Sequence, residues 1–468
     1  MGEVPIQSTL RPLPNQPTDT DLEIPTDVPA ALSPPVAPLS DVPRKTPLWV
    51  LTSVTLLVGI AAGIGGMVLA LFLHLIQHLA YGYSLDAVIS NQSFLQGVTA
   101  APPLRRVVVL AGCGLVAGGG WWAVYRFGRP LVSIKRAVEP GSPPMPILAT
   151  TGHALLQIIT VALGSPLGRE VAPREIGAML AGWLCRRAGL TGPETSVMIA
   201  CGAGAGLAAV YNVPLAGAIF VLEVLLRTAR LSAVIPAIAT SCIATVVAWA
   251  GLGDAVQYTL PDYPISTSLV VWSILAGPII GFAAHKYTEI AAWARSRAPR
   301  DGRLLPWCVA VFVVLGVISI WFPQLLGNGK GPIQLGLSGD LTVGLALVLL
   351  VLKLASTTGS LRAGAEGGLL TPGLAIGGLL SLVLGDVSNI LGFHVPLGAY
   401  VLVGAPAFLA VSMQMPITAV VLMFEFTHVK QDFLIPIMAA TSVAIAFREW
   451  LVLRKSRSAG PYLGTNVA

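Results

Sequence analysis

Residues 163–180, LGSPLGREVAPREIGAML, place four charged side chains inside an otherwise apolar part of the sequence. Glu170 follows Arg169 directly, and Arg174 and Glu175 come within the next five residues. A carboxylate in apolar surroundings is costly to keep charged, so it is either paired or part of a path for ions or protons. We interpret Glu170 as a functional carboxylate. The alternative is that it caps the first turn of a helix or pairs with Arg169 or Arg174, and Glu175 is interpreted as a partner for a neighbouring arginine.

Glycine and proline interrupt the apolar segments around these charges, in LGSPLGREVAP, YNVPLAGA, GAEGGLLTPGLAIGG and MQMPITA. Non-helical backbone at membrane depth is tolerated only where it is buried in protein or lines a cavity, and short broken helices indicate a transport site. A helix that begins at such a break directs unpaired N–H groups and the positive end of its dipole inward, which suits an anion. GREVAP and GGLLTP are both suitable starts, because glycine allows close approach and proline fits a first turn.

Glu170 therefore lies where an anion would bind. Its own carboxylate can fill that site and then give way to a mobile anion, which makes it a gate. If protonation drives its departure, anion movement becomes linked to protons, because buried acids within the membrane titrate closer to neutral pH than exposed ones.

The composition places these residues in a membrane. Of the 468 residues, 54% are hydrophobic and 11% are charged, whereas about 25% are charged in soluble domains. Apolar runs follow one another from Pro47 to Leu453, and residues 48–76 alone exceed the roughly 20 residues that cross a bilayer. The sequence predicts an all-α, polytopic integral membrane protein and excludes a soluble enzyme. The excess of basic over acidic residues is attributed to the membrane topology and to contact with lipid headgroups, so no nucleic-acid partner is expected.

The two ends of the chain predict the topology. Residues 1–45 are rich in proline and acidic side chains and are predicted to be a disordered cytoplasmic tail. The transmembrane domain is predicted at 46–458, followed by a short tail at 459–468. Basic residues flank the first and last spans, at Arg44, Lys45, Arg448, Arg454, Lys455 and Arg457. The positive-inside rule then predicts a multi-pass protein of the cell (inner) membrane with both termini in the cytoplasm.

An internal repeat is visible in NVPLAGAIFVLE, which ends at Glu223, and QMPITAVVLMFE, which ends at Glu425. Each has a proline nine residues before its glutamate, and the two upstream breaks lie 41 and 44 residues before those prolines. The pattern predicts a duplicated helical bundle, with halves at about 46–251 and 266–458 and a site where they meet. Chance recurrence of apolar helices that begin with proline would explain one such pair of segments, but not two pairs at similar spacing. Both glutamates are interpreted as structural, holding helix ends.

At these positions the sequence resembles the CLC family of chloride channels and chloride/proton antiporters. GREVA is similar to the family's GREGP-type motif, GGLLTP to its GxFxP-type motif, and AGLAAVYNVPLAGAIFVLE and MQMPITAVVLMFEFT to its paired helices. The resemblance covers roughly residues 50–465. It implies a bundle of broken, tilted helices in two inverted repeats, a homodimer in the lipid bilayer, and chloride or another small monovalent anion as substrate, with protons as a second candidate. We expect no cofactor and no metal site.

The resemblance also assigns roles to individual residues. Glu170 would be the gating glutamate, and Gly168 and Arg169 of the same motif would lie at the anion site. The backbone amides of Leu369 and Leu370 would face the anion.

Other positions depart from the family pattern. The family's first motif, GSGIP, supplies a serine hydroxyl to the anion, and in register it falls on Gly128–Val132, with Arg129 in place of the serine. Ser142, in GSPPMP, is the alternative. Tyr462 is similar to the tyrosine that helps to coordinate the central anion, and its alternative role is an anchor at the membrane interface.

Many exchangers of the family carry a proton-transferring glutamate where this chain has Val224. The apolar residue favours channel-like or weakly proton-coupled anion transport over the alternative, a chloride/proton antiporter with stoichiometric coupling. An intramembrane enzyme that uses Glu170 as an acid–base is a hypothesis of another class. It would need a nucleophile or metal cluster, and the sequence has no GxSxG, HExxH or paired aspartate motif. A non-transporting membrane scaffold would not need two breaks beside buried charge.

Overall fold

A computed structural model describes residues 46–83 and 92–458, with side chains placed as far as Lys455. The predicted tails at 1–45 and 459–468, with Tyr462, lie outside the described residues. The described residues fold mainly into helices. The helices are α1 Leu48–Tyr81, α2 Phe94–Ala100, α3 Pro103–Phe127, α4 Ile134–Ala137, α5 Ile147–Ala162, α6 Val171–Ala188, α7 Gly192–Tyr211, α8 Pro214–Phe220, α9 Leu231–Leu252, α10 Thr267–Ser296, α11 Leu304–Ile318, α12 Lys330–Ser338, α13 Val343–Ala363, α14 Leu370–Ile390, α15 Leu397–Met413, α16 Pro416–Thr427 and α17 Leu434–Ser458.

Eight of the helices in the described part are long and apolar enough to cross a membrane. Large apolar side chains cover the outside of the bundle, among them Leu56, Leu57, Ile64 and Val68 of α1. Such a surface is stable against lipid and unfavourable in water. The structure confirms the prediction of an all-helical, polytopic membrane protein made of long spans and shorter tilted pieces.

The packing of glycines fixes the direction in which the helices run. Gly59 and Gly63 of α1 pack against Thr240 and Ala244 of α9, so these two helices are parallel. Gly277 and Gly281 of α10 pack in the same parallel way against α17. We call the side where α1 begins the Leu48 face and the side where it ends the Tyr81 face.

The two halves repeat the same local backbone between α7 and α8 and between α15 and α16. Asn212 and Gln414 end α7 and α15 in the left-handed region, with φ of 56° and 54°. The next residues, Val213 and Met415, also share one conformation, with φ of −133° and −139° and ψ of 67° and 66°. Asparagine tolerates a left-handed conformation at a helix end, whereas glutamine rarely adopts it. The equal backbone conformations at Asn212 and Gln414 therefore reflect the repeated architecture more than the preferences of the two residue types.

Glu223 and Glu425 explain the spacing of the paired motifs. The Glu223 carboxylate accepts the N–H groups of Ile417 and Thr418 at 2.8 Å each, at the start of α16. The Glu425 carboxylate accepts those of Leu215 and Ala216 at 2.9 and 2.7 Å, at the start of α8. Each glutamate therefore satisfies the unpaired donors of the other half's helix, and the two helices must run antiparallel.

The helices that lead to the centre are packed backbone against backbone. Gly177 of α6 lies against the carbonyl of Gly202 in α7, and Gly206 lies against the carbonyl of Pro173. A side chain at these positions would force the helices apart, so the glycines hold the start of α6 deep in the bundle.

Candidate functional site

The two helix starts that follow the predicted breaks meet in the centre of the bundle. Gly168, just before α6, and Gly368, just before α14, form an antiparallel pair. The N–H of Gly168 donates to the Gly368 carbonyl at 2.7 Å, and the N–H of Gly368 donates to the Gly168 carbonyl at 2.9 Å. The pair joins GREVAP of one half to GGLLTP of the other.

The Glu170 carboxylate lies on this pair and is completely buried. Its Oε1 accepts the backbone N–H of Leu370, the first residue of α14, at 2.7 Å. Its Oε2 has no hydrogen-bond partner in the described part of the chain. A Cβ at Gly168 or Gly368 would collide with the carboxylate, so both positions need glycine for this approach. The tethered carboxyl group of Glu170 thus occupies the N-terminus of α14, a position that suits an anion.

The Glu170 side chain turns away from the helix and the arginines that neighbour it in sequence, and the helix start that it caps is that of α14. Although it directly precedes α6, its side chain does not cap that helix. Within residues 46–83 and 92–458 it forms no ion pair with Arg169 or Arg174. Arg174 instead donates from Nε to the main-chain carbonyl of Glu170 at 2.9 Å and lies over the ring of Phe220. The carboxylate therefore reaches across to the other half of the bundle.

Arg169 adds positive charge beside the carboxylate. Its guanidinium lies 5.3 Å from the centre of the Tyr211 ring, and only 9% of the residue is exposed. The hydroxyls of Tyr211 and Thr371 are 3.3 Å apart, so this ring is tied to the start of α14. The Arg169 Nε has no partner among the described residues. A buried cation stabilised by an aromatic face and with an unused donor favours an anion nearby.

A second cation lies further toward the Tyr81 face. The Lys330 ammonium is 6.0 Å from the Tyr258 ring and 3.3 Å from the Gln257 Oε1. Tyr258 packs edge-on against Phe426, and burial raises the pKa of its hydroxyl well above the usual value, so the ring stays neutral. Lys330 and Arg169 together form a positively charged approach to Glu170.

The sequence did not point to Tyr211, Thr371, Tyr258 or Lys330. The available signals were weak: Tyr211 directly precedes the NVP break, Thr371 lies inside GGLLTP, and Lys330 is a charge within the glycine-rich GNGKGP.

Glu175 has different partners from those predicted. Its Oε2 is 2.9 Å from Nδ1 of His153 and 3.1 Å from Nε2 of Gln157, both on α5. The interpretation that it partners an arginine is wrong, because α5 and not an arginine-bearing segment packs against this side of α6. The result is a buried polar cluster one to two turns along α6 from Glu170.

The remaining predicted residues lie outside the Glu170 cluster. Arg129 is exposed on the segment between α3 and α4, and Ser142 lies on the next loop, beside a cavity of about 200 Å³ at the end of α6. Val224 is half-buried in a π-helical turn, Val221–Leu226, that continues α8. Ser133 is the hydroxyl residue that directly precedes the short α4, where it caps the N–H of Arg136. Leu369 and Leu370, by contrast, lie at the start of α14 as expected.

Comparison with known proteins gives one consistent result. The sequence profile of the family described as "Voltage gated chloride channel" matches residues 111–449. The chain is 28% identical over 364 residues to the voltage-gated ClC-type chloride channel ClcB of Escherichia coli O81 (strain ED1a), which covers 72% of this chain and 82% of that protein.

Two solved structures are similar in fold. A slow cyanobacterial Cl⁻/H⁺ antiporter matches with a TM-score of 0.72 and 18% identity, over 88% of this chain and 99% of that one. A CLC-type fluoride/proton antiporter matches with a TM-score of 0.61 and 19% identity, over 86% of this chain and 96% of that one. At these identities the two structures establish the arrangement of the helices only.

Proposed function

The chain belongs to the CLC family, whose members are non-enzymatic anion channels and transporters. On that premise we propose that it moves chloride or a similar small monovalent anion past Glu170, in a channel-like or weakly proton-coupled manner. The observation that carries this proposal is the hydrogen bond from the Leu370 N–H to the buried Glu170 carboxylate. It places one negative charge at the start of α14, where a mobile anion would bind in its place.

The chemistry of the site suits a small monovalent anion. When the carboxylate leaves, the Leu370 N–H and the helix dipole, equivalent to about half a positive charge, become available to an incoming anion. Arg169 lowers the electrostatic energy of either occupant, and Lys330 draws anions toward it. Because Gly168 and Gly368 have no side chains, the backbone leaves room for one ion in place of the carboxylate.

The charge distribution supports an orientation with the Leu48 face in the cytoplasm. By the direction of their helices, four described basic residues near helix ends or loops belong to the Tyr81 face: Arg105, Arg106, Lys330 and Lys430. Many more belong to the Leu48 face, among them Arg126, Arg129, Lys135, Arg136, Arg186, Arg187, Arg227, Arg230, Arg295, Arg297, Arg300, Arg303, Arg454 and Lys455. The positive-inside rule then gives a cytoplasmic Leu48 face and cytoplasmic termini.

Stoichiometric chloride/proton exchange is the second candidate, and the His153–Glu175 pair favours it. Val224 offers no proton acceptor at the end of α8, which supports weak coupling. His153, Glu175 and Gln157, however, form a hydrogen-bonded group on α5 and α6, between Glu170 and the Leu48 face. Such a group can hold a proton in place of the missing glutamate.

The test is simultaneous measurement of chloride and proton flux in liposomes that contain the purified chain. We expect chloride efflux with few protons moved per chloride. Glu170→Gln and Glu170→Ala should both change the chloride flux and abolish any proton movement. If both variants keep the chloride and proton fluxes of the unmodified chain, Glu170 is not the gate. If the unmodified chain moves no anion, the proposed transport is wrong.

The same measurement separates the two candidates. A fixed number of protons per chloride across pH, lost in His153→Gln or Glu175→Gln while chloride still moves, identifies an exchanger that uses this pair. Thr151→Ala, at an α5 position whose hydroxyl donates to the sulfur of Met179 at 3.9 Å, is the matched control and should leave both fluxes unchanged.

A further inference from the structure

An open cleft of about 500 Å³ lies on the Leu48 face, away from Glu170. The end of α10, the loop to α11, the start of α11 and the end of α13 enclose it. Five arginines line it: Arg295, Arg297, Arg300, Arg303 and Arg362. The gating and anion-binding roles proposed above do not use any of them.

Few acidic side chains offset the positive charge of this arginine cleft, and Glu366, which accepts a hydrogen bond from the Tyr125 hydroxyl at 3.3 Å, lies outside its lining. No carboxylate lines the cleft within the described residues, and the nearest acidic residue in the loop, Asp301, is paired with Arg303 at 3.0 Å. Hydrogen bonds from Arg303 lower the pKa of the Asp301 carboxyl below its usual value, so that one negative charge is present. Guanidinium groups gathered without counter-charges repel one another, and a bound anion relieves this repulsion.

Aromatic rings hold three of the arginines in place. Arg297 lies over Trp293 at 5.6 Å, Arg300 over Tyr125 at 6.0 Å, and Arg362 over Trp307 at 5.5 Å from the ring centres. Stacking uses the face of the guanidinium and leaves the N–H groups at its edge for a ligand. The cleft is thus pre-organised, with donors directed by rings on α3, α10 and α11.

We propose that the arginine cleft binds a phosphate group, carried by a lipid headgroup or by a soluble molecule. Guanidinium forks match the oxygen atoms of phosphate in geometry and charge, whereas one halide ion is too small to engage several forks at once. Trp293 and Trp307 are each about half exposed beside the cleft, and tryptophan is enriched at the depth of lipid headgroups. The phosphate of an anionic lipid therefore reaches the cleft from the bilayer.

Arg295 connects the cleft to the centre of the bundle. Its Nη2 donates to the carbonyl of Gly367 at 2.8 Å, and Gly367 directly precedes Gly368, which lies against the Glu170 carboxylate. A phosphate in the cleft competes for Arg295 and so alters the support of the Gly168–Gly368 pair. This effect on transport rests on the proposed function, whereas binding of the phosphate does not.

Binding is tested by calorimetry on the full chain in neutral detergent. The probes are inorganic phosphate and dioctanoyl phosphatidic acid, with dioctanoyl phosphatidylcholine as the zwitterionic lipid of zero net charge. We expect saturable binding of at least one phosphate probe, weakened at least tenfold by Arg297→Gln with Arg362→Gln. Tighter binding of phosphatidic acid identifies a lipid as the source, and equal or tighter binding of inorganic phosphate identifies a soluble one.

The matched control is Arg186→Gln with Arg187→Gln. These residues also belong to the Leu48 face, and Arg187 lies over Trp183 at 5.4 Å, so the control removes the same charge and one of the two comparable stacks. Binding should be unchanged. Absence of binding by both phosphate probes, or equal weakening in the control, would overturn the site.

The effect on transport is tested by chloride efflux from vesicles with and without phosphatidic acid. For the unmodified chain and for the control, the rate of chloride efflux should differ at least twofold between the two lipid compositions. For the variant of Arg297 and Arg362, the rate should be the same in both. Equal efflux from both compositions for the unmodified chain refutes the link through Arg295. No efflux under any condition refutes the proposed function and leaves the binding result standing.

Discussion

At the scale of single residues, the site depends on a carboxylate that is bound by the opposite half of the molecule. Glu170 comes from the first half, and the N–H that it accepts belongs to Leu370 of the second. The absence of side chains at Gly168 and Gly368 is what allows the carboxylate to approach the backbone.

Gly368→Ala tests this close approach without touching the carboxylate. The added methyl group would collide with the Glu170 carboxylate and displace it from the Leu370 N–H. We expect efflux that depends less on pH than that of the unmodified chain, because the gate no longer rests in its site. Chloride efflux from liposomes at pH 4.5 and 7.5 measures this.

Gly112→Ala is the control for this substitution, because a Cβ there meets no atom within 4 Å. Its efflux and its pH dependence should equal those of the unmodified chain. A Gly368→Ala chain that folds and retains the original pH dependence would contradict the resting position of Glu170.

The sequence predicted the position of those residues that belong to a local motif. Glu170, Gly168, Leu369 and Leu370 lie together because each belongs to a break, and breaks are visible as glycine and proline. Arg129 was placed by counting back from Glu170, and that count depends on the length of the loop between α4 and α5, which no local pattern reveals. In the structure Ser133, four residues later, directly precedes α4.

At the scale of helices, the exchange of glutamates between α8 and α16 connects the two halves. The sequence showed the repeated spacing of proline and glutamate, but not that each glutamate serves the other helix. That relation needs the antiparallel arrangement, which spacing within one half does not determine. The buried side chains of Arg169 and Tyr211 are likewise brought together by helix packing and not by a motif.

Glu223→Gln and Glu425→Gln should each destabilise the bundle. Each carboxylate accepts two backbone N–H groups at a helix start, and hydrogen bonds to a charged acceptor contribute about 1.5–3 kcal/mol. We expect the melting temperature in detergent to fall by several degrees for each variant. Asp262→Asn, which breaks an exposed pair with Lys430, is the control and should melt like the unmodified chain. Equal melting of all four proteins would show that these caps are dispensable.

At the scale of the whole molecule, the subunit is expected to form a homodimer, as the family resemblance implies. Light scattering in detergent should give a protein mass of twice 48.6 kDa. The same mass should be found for Glu170→Gln, because the gate lies in the centre of one subunit. A protein mass of 48.6 kDa at all concentrations would contradict the dimer.

The orientation of the molecule follows from charge and is tested by labelling in intact cells. Cys242 is the exposed cysteine of the described part, so it is first replaced by serine. Lys430→Cys then reports the Tyr81 face and Arg230→Cys the Leu48 face, and both native side chains are exposed. Because basic residues are concentrated on the Leu48 face, a membrane-impermeant maleimide should label Lys430→Cys in intact cells and Arg230→Cys only after permeabilisation. The reverse pattern would place the arginine cleft outside the cell and would remove the basis for cytoplasmic termini.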